Sequence, residues 1–376
     1  MEARRYNIVI LITALFGMSL VAGCSLTDED ASQRLDSQSR TAIGFSVADP
    51  AATRTASNTL TINGTGTNEQ SLRAKGFGVF ASHTGSHPYV SSTTTCNLMW
   101  NQQIEWNSTA VRWTYDPVVY WPNTDDGASE YVTFFAYAPY SDGSSDESSA
   151  CIVDFSLSGE TGDPWLTYQL GGTTAADGAD GWKALQVDLL YDFKKDQVRP
   201  DSPSGKTTFS FRHALACMGD QITLTCSEDL QNRLKALYAS TGSTSDVTLT
   251  LDRLLLDYEL TSKAKLVLNG SIQPNWKPLA SGEPMVHRYL EFTPAQVIAT
   301  ATSASSCTLT DYTISNQGIF YIPLEVGNNN QKITATVYYT VSTGRTGFVK
   351  TTVSLSSVAA AGNGSNLRFT LSIPDL

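Results

Sequence analysis

The sequence predicts an all-β fold arranged as two tandem β-sandwich domains, on three observations. Short runs rich in aromatic and β-branched residues (77–81, 113–117, 120–123 and 132–140) alternate with Pro, Asn and Gly breaks. That composition suits strands on a pleated, half-buried surface. The rhythm continues to the end of the chain, and one segment alone has convincing helical spacing: residues 228–238, with Leu230, Leu234 and Leu237. With 376 residues the chain is long enough for two domains, each with its own core.

Taken in order, the first element is a leader. Arg4 and Arg5 precede an apolar run over 8–21 that is short for a membrane span and is flanked like a signal peptide. Ala22-Gly23-Cys24 then looks like a lipoprotein processing site, which makes residues 1–23 the signal and Cys24 the lipidated first residue. Two or three acyl chains, at ~0.8 kcal/mol per buried CH2, would anchor such a protein stably to an outer membrane. Asp28, Glu29 and Asp30 resemble an acidic surface-export tag, and residues 25–40 read as a polar tether.

Next come residues 41–48, with Ile43, Phe45 and Val47 alternating against small or polar neighbours, a period-two strand. Asp49-Pro50 ends it, and an open loop around Arg54 separates it from the strand that begins at Leu60. Residues 24–54 therefore form a lipidated leader with a detachable first strand. The N-terminal sandwich is assigned to 55–200, with surface loops at 141–149 and 171–181. Residues 193–206, carrying Lys194, Lys195, Pro200 and Pro203, read as a linker. The C-terminal sandwich is assigned to 201–376. It opens on an alternating strand at 208–215, continues through strands at 247–251, 265–268, 318–324, 333–341 and 349–355, and ends on 367–373.

Composition narrows function. The formal charge of −11 argues against nucleic acid, whose phosphates call for basic patches. Beyond Cys24 five cysteines remain, so at most two disulfides can form. A local Cys217–Cys226 bridge and buried small hydrophobes are both compatible with the spacing. Among the four histidines, His213 reads as structural, His83 and His87 share a loop without a neighbouring carboxylate, and His287 is isolated. Asp125, Asp126, Asp142 and Asp146 lack the spacing of a calcium loop. No nucleophile elbow or phosphate loop is present. Neither catalysis nor a metal or other cofactor is expected. Trp100, Trp106, Trp113 and Trp121 could instead form a sugar-stacking face, or lie in the core.

The order of the aromatic segments, Phe77-Gly78-Val79-Phe80-Ala81, Trp113-Thr114-Tyr115-Asp116-Pro117, Tyr120-Trp121-Pro122-Asn123 and Phe134-Phe135-Ala136-Tyr137-Ala138-Pro139-Tyr140, resembles the fimbrillin family of type V pilins. Phe209-Ser210-Phe211-Arg212-His213-Ala214-Leu215 and Phe320-Tyr321-Ile322-Pro323 are similar to further segments of that family. The resemblance covers most of the chain after Cys24. It implies a transthyretin-like Greek-key topology, no catalysis, and a structural or adhesive fimbrial subunit assembled by strand exchange. It also implies a trypsin-like protease that cuts at Arg54-Thr55, with Arg40 the second choice, and so releases Ile43, Phe45 and Val47. Leu367, Phe369, Leu371 and Ile373 are the candidate donor strand, or simply the last strand of the second domain. The implied partners are other fimbrial subunits and a host or bacterial surface receptor. The competing expectation is a monomeric surface lipoprotein that binds glycan or host protein.

Overall fold

The computed structural model describes residues 40–48, 60–61, 70–122, 130–143, 151–170, 187–202, 205–242, 245–279, 284–315, 320–324, 330–355 and 366–373. Strands dominate throughout, as expected. The two helices among the described residues are a single turn, α1 (Leu72–Lys75), and the amphipathic α2 (Glu228–Thr241). Ser227 caps α2 by accepting a hydrogen bond from the Leu230 amide, and Gly242 ends it in the left-handed region at φ 58°. No helix among the described residues is long and apolar enough to cross a membrane.

A short parallel pair, β2 (Leu60–Thr61) and β3 (Gln70–Ser71), leads into α1. The first half is then organised around a six-stranded sheet. It contains β4 (Phe77–Gly85), β5 (Met99–Asn107), β6 (Arg112–Thr114), β7 (Tyr131–Ala138), β10 (Leu190–Gln197) and β12 (Arg212–His213), in the order β12-β10-β7-β4-β5-β6. Its central strands are apolar at nearly every position because both faces are covered. Val79, Phe134 and Ala136 belong to one core, while Phe80, Phe135 and Tyr137 point into the other. Near-continuous burial replaces the alternation of a one-sided sheet.

The second core is continuous with the rest of the chain. The hairpin of β8 (Ile152–Phe155) and β9 (Trp165–Gln169) joins β15 (Lys263–Val267) and β16 (Asn275–Pro278) in a four-stranded antiparallel sheet. A large sheet is built around β14 (Val247–Thr261). This strand pairs with β17 (Met285–Phe292) and β18 (Gln296–Ala301) along one edge, and with β22 (Lys332–Val341) along the other. β14 is longer than its sequence suggests, because the ladder passes a bulge between Leu251 and Arg253 instead of stopping at Asp252. β18 also pairs β19 (Cys307–Leu309), and β22 pairs β23 (Arg345–Ser354). The last sheet holds β13 (Ala216–Cys226), β20 (Tyr312–Ser315), β21 (Phe320–Ile322) and β24 (Asn366–Ile373).

Two expectations need correction. Residues 193–197 are not linker: they continue β10, with Phe193 opposite Phe135 and Lys194 opposite Phe134. Their charge misled because Lys194 runs back to the buried Asp192 at 3.2 Å. The expected strand at 208–215 is two short pieces, β11 (Thr207–Phe209) and β12, which pair with different partners. The Asp192 carboxylate sits at the break, accepting from the Ser210 amide at 2.6 Å and from Arg212 at 3.0 Å.

Candidate functional site: a strand-covered groove

The residues expected to detach form the lid of the first core. Its strand, β1 (Phe45–Val47), runs parallel to β11, with Phe45 opposite Thr207 and Val47 opposite Phe209. On the other side Ala42 bridges Tyr120 in antiparallel sense. The segment is therefore hydrogen-bonded along both margins. The Ile43 amide donates to Val119 O at 2.9 Å, and the Trp121 amide donates to Thr41 O at 2.9 Å. Across the other margin the Thr207 amide donates to Gly44 O and the Ala48 amide to Phe209 O, both at 2.8 Å. The Ser46 and Thr208 hydroxyls meet at 2.6 Å.

Side chains complete the lid. Ile43 and Phe45 are each 2% exposed, while Val47 is half-buried against the same core. Phe45 is held by four rings: Phe77 and Phe134 edge-on at 6.3 and 5.7 Å, Tyr115 tilted at 5.6 Å, and Phe209 stacked at 5.7 Å. Such arrangements add ~0.5–1.5 kcal/mol per aromatic pair to area burial. Gly44 lies close to the groove wall, where a Cβ would come within 3.2 Å of Lys206 Cγ. The Tyr115 hydroxyl donates to Ile43 O at 2.7 Å. Burial pushes its pKa up to about 12, so it remains a donor at neutral pH.

Strand periodicity identified Ile43, Phe45 and Val47, but not the groove itself. Tyr115, Val119, Trp121, Phe209 and Phe211 come from segments distant in sequence, and only the topology assembles them. The available signal was the density of aromatics around 113–121. Arg40 is exposed directly ahead of the segment; Cys24, Arg54 and Thr55 lie outside the described residues. The strand of Leu367, Phe369, Leu371 and Ile373 lies parallel to β13, with Phe369 opposite Ile222 and Leu371 opposite Leu224.

The other candidates separate. Trp121 is core and packs edge-on against Phe134. Trp113 packs against the groove core and meets Trp106, which lies under the Arg73 guanidinium at 4.0 Å. Trp100 is part-exposed beside Phe80 and donates to Ser156 O. The four indoles thus occupy different environments instead of one stacking face. His83 does have a carboxylate beside it in space, Glu130 at 2.9 Å, brought there by the β4–β7 ladder, while His87 is exposed. Buried His213 sits 2.8 Å from Asp188. It lies opposite Leu190, a member of the same core as Phe209 and Phe211, so it keeps to their face. His287 is not isolated in space either: it lies 2.8 Å from Asp257 and stacks on Tyr289. Asp142 is exposed, while Asp125, Asp126 and Asp146 lie outside the described residues. Among the described residues no three His, Cys, Asp or Glu side chains gather as a metal site. Among the described residues no disulfide joins Cys96, Cys151, Cys217, Cys226 or Cys307, so Cys217 and Cys226 are not bridged.

With a core closed by a short, doubly bordered strand, the chain is a multi-sheet all-β protein. Comparison with known proteins agrees with that fold class. The chain is 30% identical over 203 residues to fimbrium subunit Fim1C of Phocaeicola vulgatus, a match covering 52% of this chain and 46% of the relative. The matched part thus spans about half the length of that curated relative. A crystal structure of a fimbrial protein from Bacteroides vulgatus shares the fold, with a TM-score of 0.51 at 19% identity over 89% of this chain and 95% of that one. No family model matches.

Proposed function

We propose that this chain is a structural or adhesive subunit of a surface fimbrium, assembled by exchange of the strand at 41–48 after proteolysis. The observation that supports this most is the sealing of an aromatic groove by a segment bound mainly through its own backbone and three apolar side chains. Fully burying two such side chains contributes about 1.5–3 kcal/mol each, and their departure also frees two margins of backbone groups. A groove of that kind favours uptake of another extended strand.

Chain connectivity favours one of the two candidate cuts. Cleavage after Arg40 leaves the lid joined to the rest of the chain through 49–59. Cleavage after Arg54 severs that connection and leaves the lid held only by non-covalent contacts. Arg54-Thr55 is therefore the releasing bond for a trypsin-like protease, consistent with its first rank in the sequence. The precursor is exported with a lipid on Cys24 and waits at the outer membrane. The incoming strand comes from another subunit, for which Leu367, Phe369, Leu371 and Ile373 have the required alternation. The Greek-key topology and a surface receptor belong to the same reading, in which no catalysis is involved.

Limited trypsin digestion of the chain lacking its lipid, followed by N-terminal sequencing and SDS electrophoresis without boiling, tests it. A new N-terminus at Thr55, loss of the 41–48 segment and SDS-resistant oligomers are expected. A stable monomer that keeps 41–48 after exhaustive digestion would instead favour a monomeric surface lipoprotein binding glycan or host protein.

A further inference from the structure

Of the five described cysteines, Cys96, Cys151 and Cys217 are buried, while Cys226 and Cys307 are only half-buried. The fold brings these last two toward one place. Cys226 ends β13, two residues beyond the buried Leu224 and on the same side, and it packs against the main core. The β13–β20 register, with Leu224 opposite Tyr312, carries that end of β13 to the turn at Thr310 and Asp311. Cys307 opens β19 just ahead of the same turn, which is held by the Thr310 amide on Ile298 O, and it too packs against the main core. The two thiols thus flank one turn, from two different sheets, facing a common interior. They also interact: burial first, then the neighbouring Cys307 and Asp311, push the Cys226 thiol up to about 11. Burial likewise raises Cys307, opposed by the charge of Lys235 on α2 and by a backbone hydrogen bond.

We propose that Cys226 and Cys307 form a disulfide in an oxidising compartment, stapling the end of β13 to β19 around the Thr310–Asp311 turn. The reaction requires a disulfide oxidant. A Cys307 thiolate, its proton lost to solvent, attacks one sulfur of the oxidant; the oxidant's S–S bond breaks and one thiolate leaves. Cys226 then loses its proton, attacks the mixed disulfide at the Cys307 sulfur and expels the second thiolate. The protein loses two electrons, and the oxidant becomes two thiols. Oxidising surroundings outside the cytosol favour the product, and this inference is independent of strand exchange. Because the bridge closes a loop of about 80 residues, it restricts the unfolded chain strongly and raises Tm by on the order of 10 °C.

The test is incubation of the full chain with oxidised glutathione without denaturant, then alkylation, non-reducing peptide mapping and thermal melts. A Cys226–Cys307 linked peptide in most molecules is expected, with Cys96, Cys151 and Cys217 alkylated only after unfolding. The higher Tm should vanish on reduction and be absent from Cys226→Ser and Cys307→Ser. Persistent glutathione adducts without the link, a link through another cysteine, or unreacted thiols would overturn the proposal, since any of these shows that the two sulfurs do not meet.

Discussion

Removing the Phe45 ring probes the groove most sharply, because that side chain meets four of its aromatic neighbours. Phe45 is 2% exposed and bordered by Phe77, Tyr115, Phe134 and Phe209. Phe45→Ala loses the transfer free energy of the ring and leaves a cavity among aromatics that cannot close over it, at a cost of about 3–5 kcal/mol. Much of this cost falls on the local attachment of 41–48, because the segment carries few other buried side chains. Hydrogen exchange in the uncleaved chain reads it directly. The amides of Ile43, Ala48, Trp121 and Thr207 all bond across the margins of the lid. In the variant they should exchange about 100- to 1,000-fold faster, while β14 and β22 amides keep their protection. Unchanged exchange at the four lid amides would refute the claim that Phe45 secures the segment. A uniform rise across the whole molecule would show that the strand is an inseparable part of the fold.

Three further outcomes rest on particular contacts. Gly78→Ala places a Cβ 2.3 Å from the ring of Tyr137, whose hydroxyl is fixed by Asn101 and by Ser141 O. A loss of about 1–3 kcal/mol in urea unfolding is expected, and a loss under about 0.5 would show that the ring can move aside. Ser227→Ala removes the α2 cap at a cost of about 1 kcal/mol, which a Ser227→Asp replacement should restore; equal stability of all three would deny the cap a role. Stability should also fall in alkali. Burial holds Cys96 near 11 and Tyr115 near 12, above their values in the unfolded chain. Folded and unfolded states therefore bind protons equally below about pH 8.5, and as pH rises toward the folded values the unfolded state ionises first and is favoured. The urea midpoint should drop between pH 8 and 11, less so in Cys96→Ser; a flat midpoint would contradict the burial of these groups.

The strands were legible in sequence where aromatic and β-branched residues cluster, as at 77–81 and 132–140, and the first strand was legible because Ile43, Phe45 and Val47 alternate cleanly. Other features depend on distant pairing. Phe134 and Phe135 gave no sign of serving two separate cores, since a run buried on both faces has no period to read. Residues 193–197 looked like linker because lysines favour solvent, yet Lys194 is tied to a carboxylate buried in the strand itself. The bulge that carries β14 past Asp252 has no reliable sequence mark. The groove walls were the least readable, as Val119, Trp121 and Phe209 meet only once the chain has folded. The spatial partners of His83 and His287 were hidden for the same reason.

The central claim is that the 41–48 segment is a replaceable occupant of its groove, and peptide rebinding measures this most directly. The chain cut after Arg54 and freed of its first strand should be titrated with a synthetic peptide of residues 41–48, in parallel with the same peptide carrying Phe45→Ala. The account predicts that the native peptide binds one per chain and that the substituted one binds at least about 100-fold more weakly, the lower end expected for losing a buried ring. Equal binding of the two peptides, or no binding by a chain that stays folded, would contradict it.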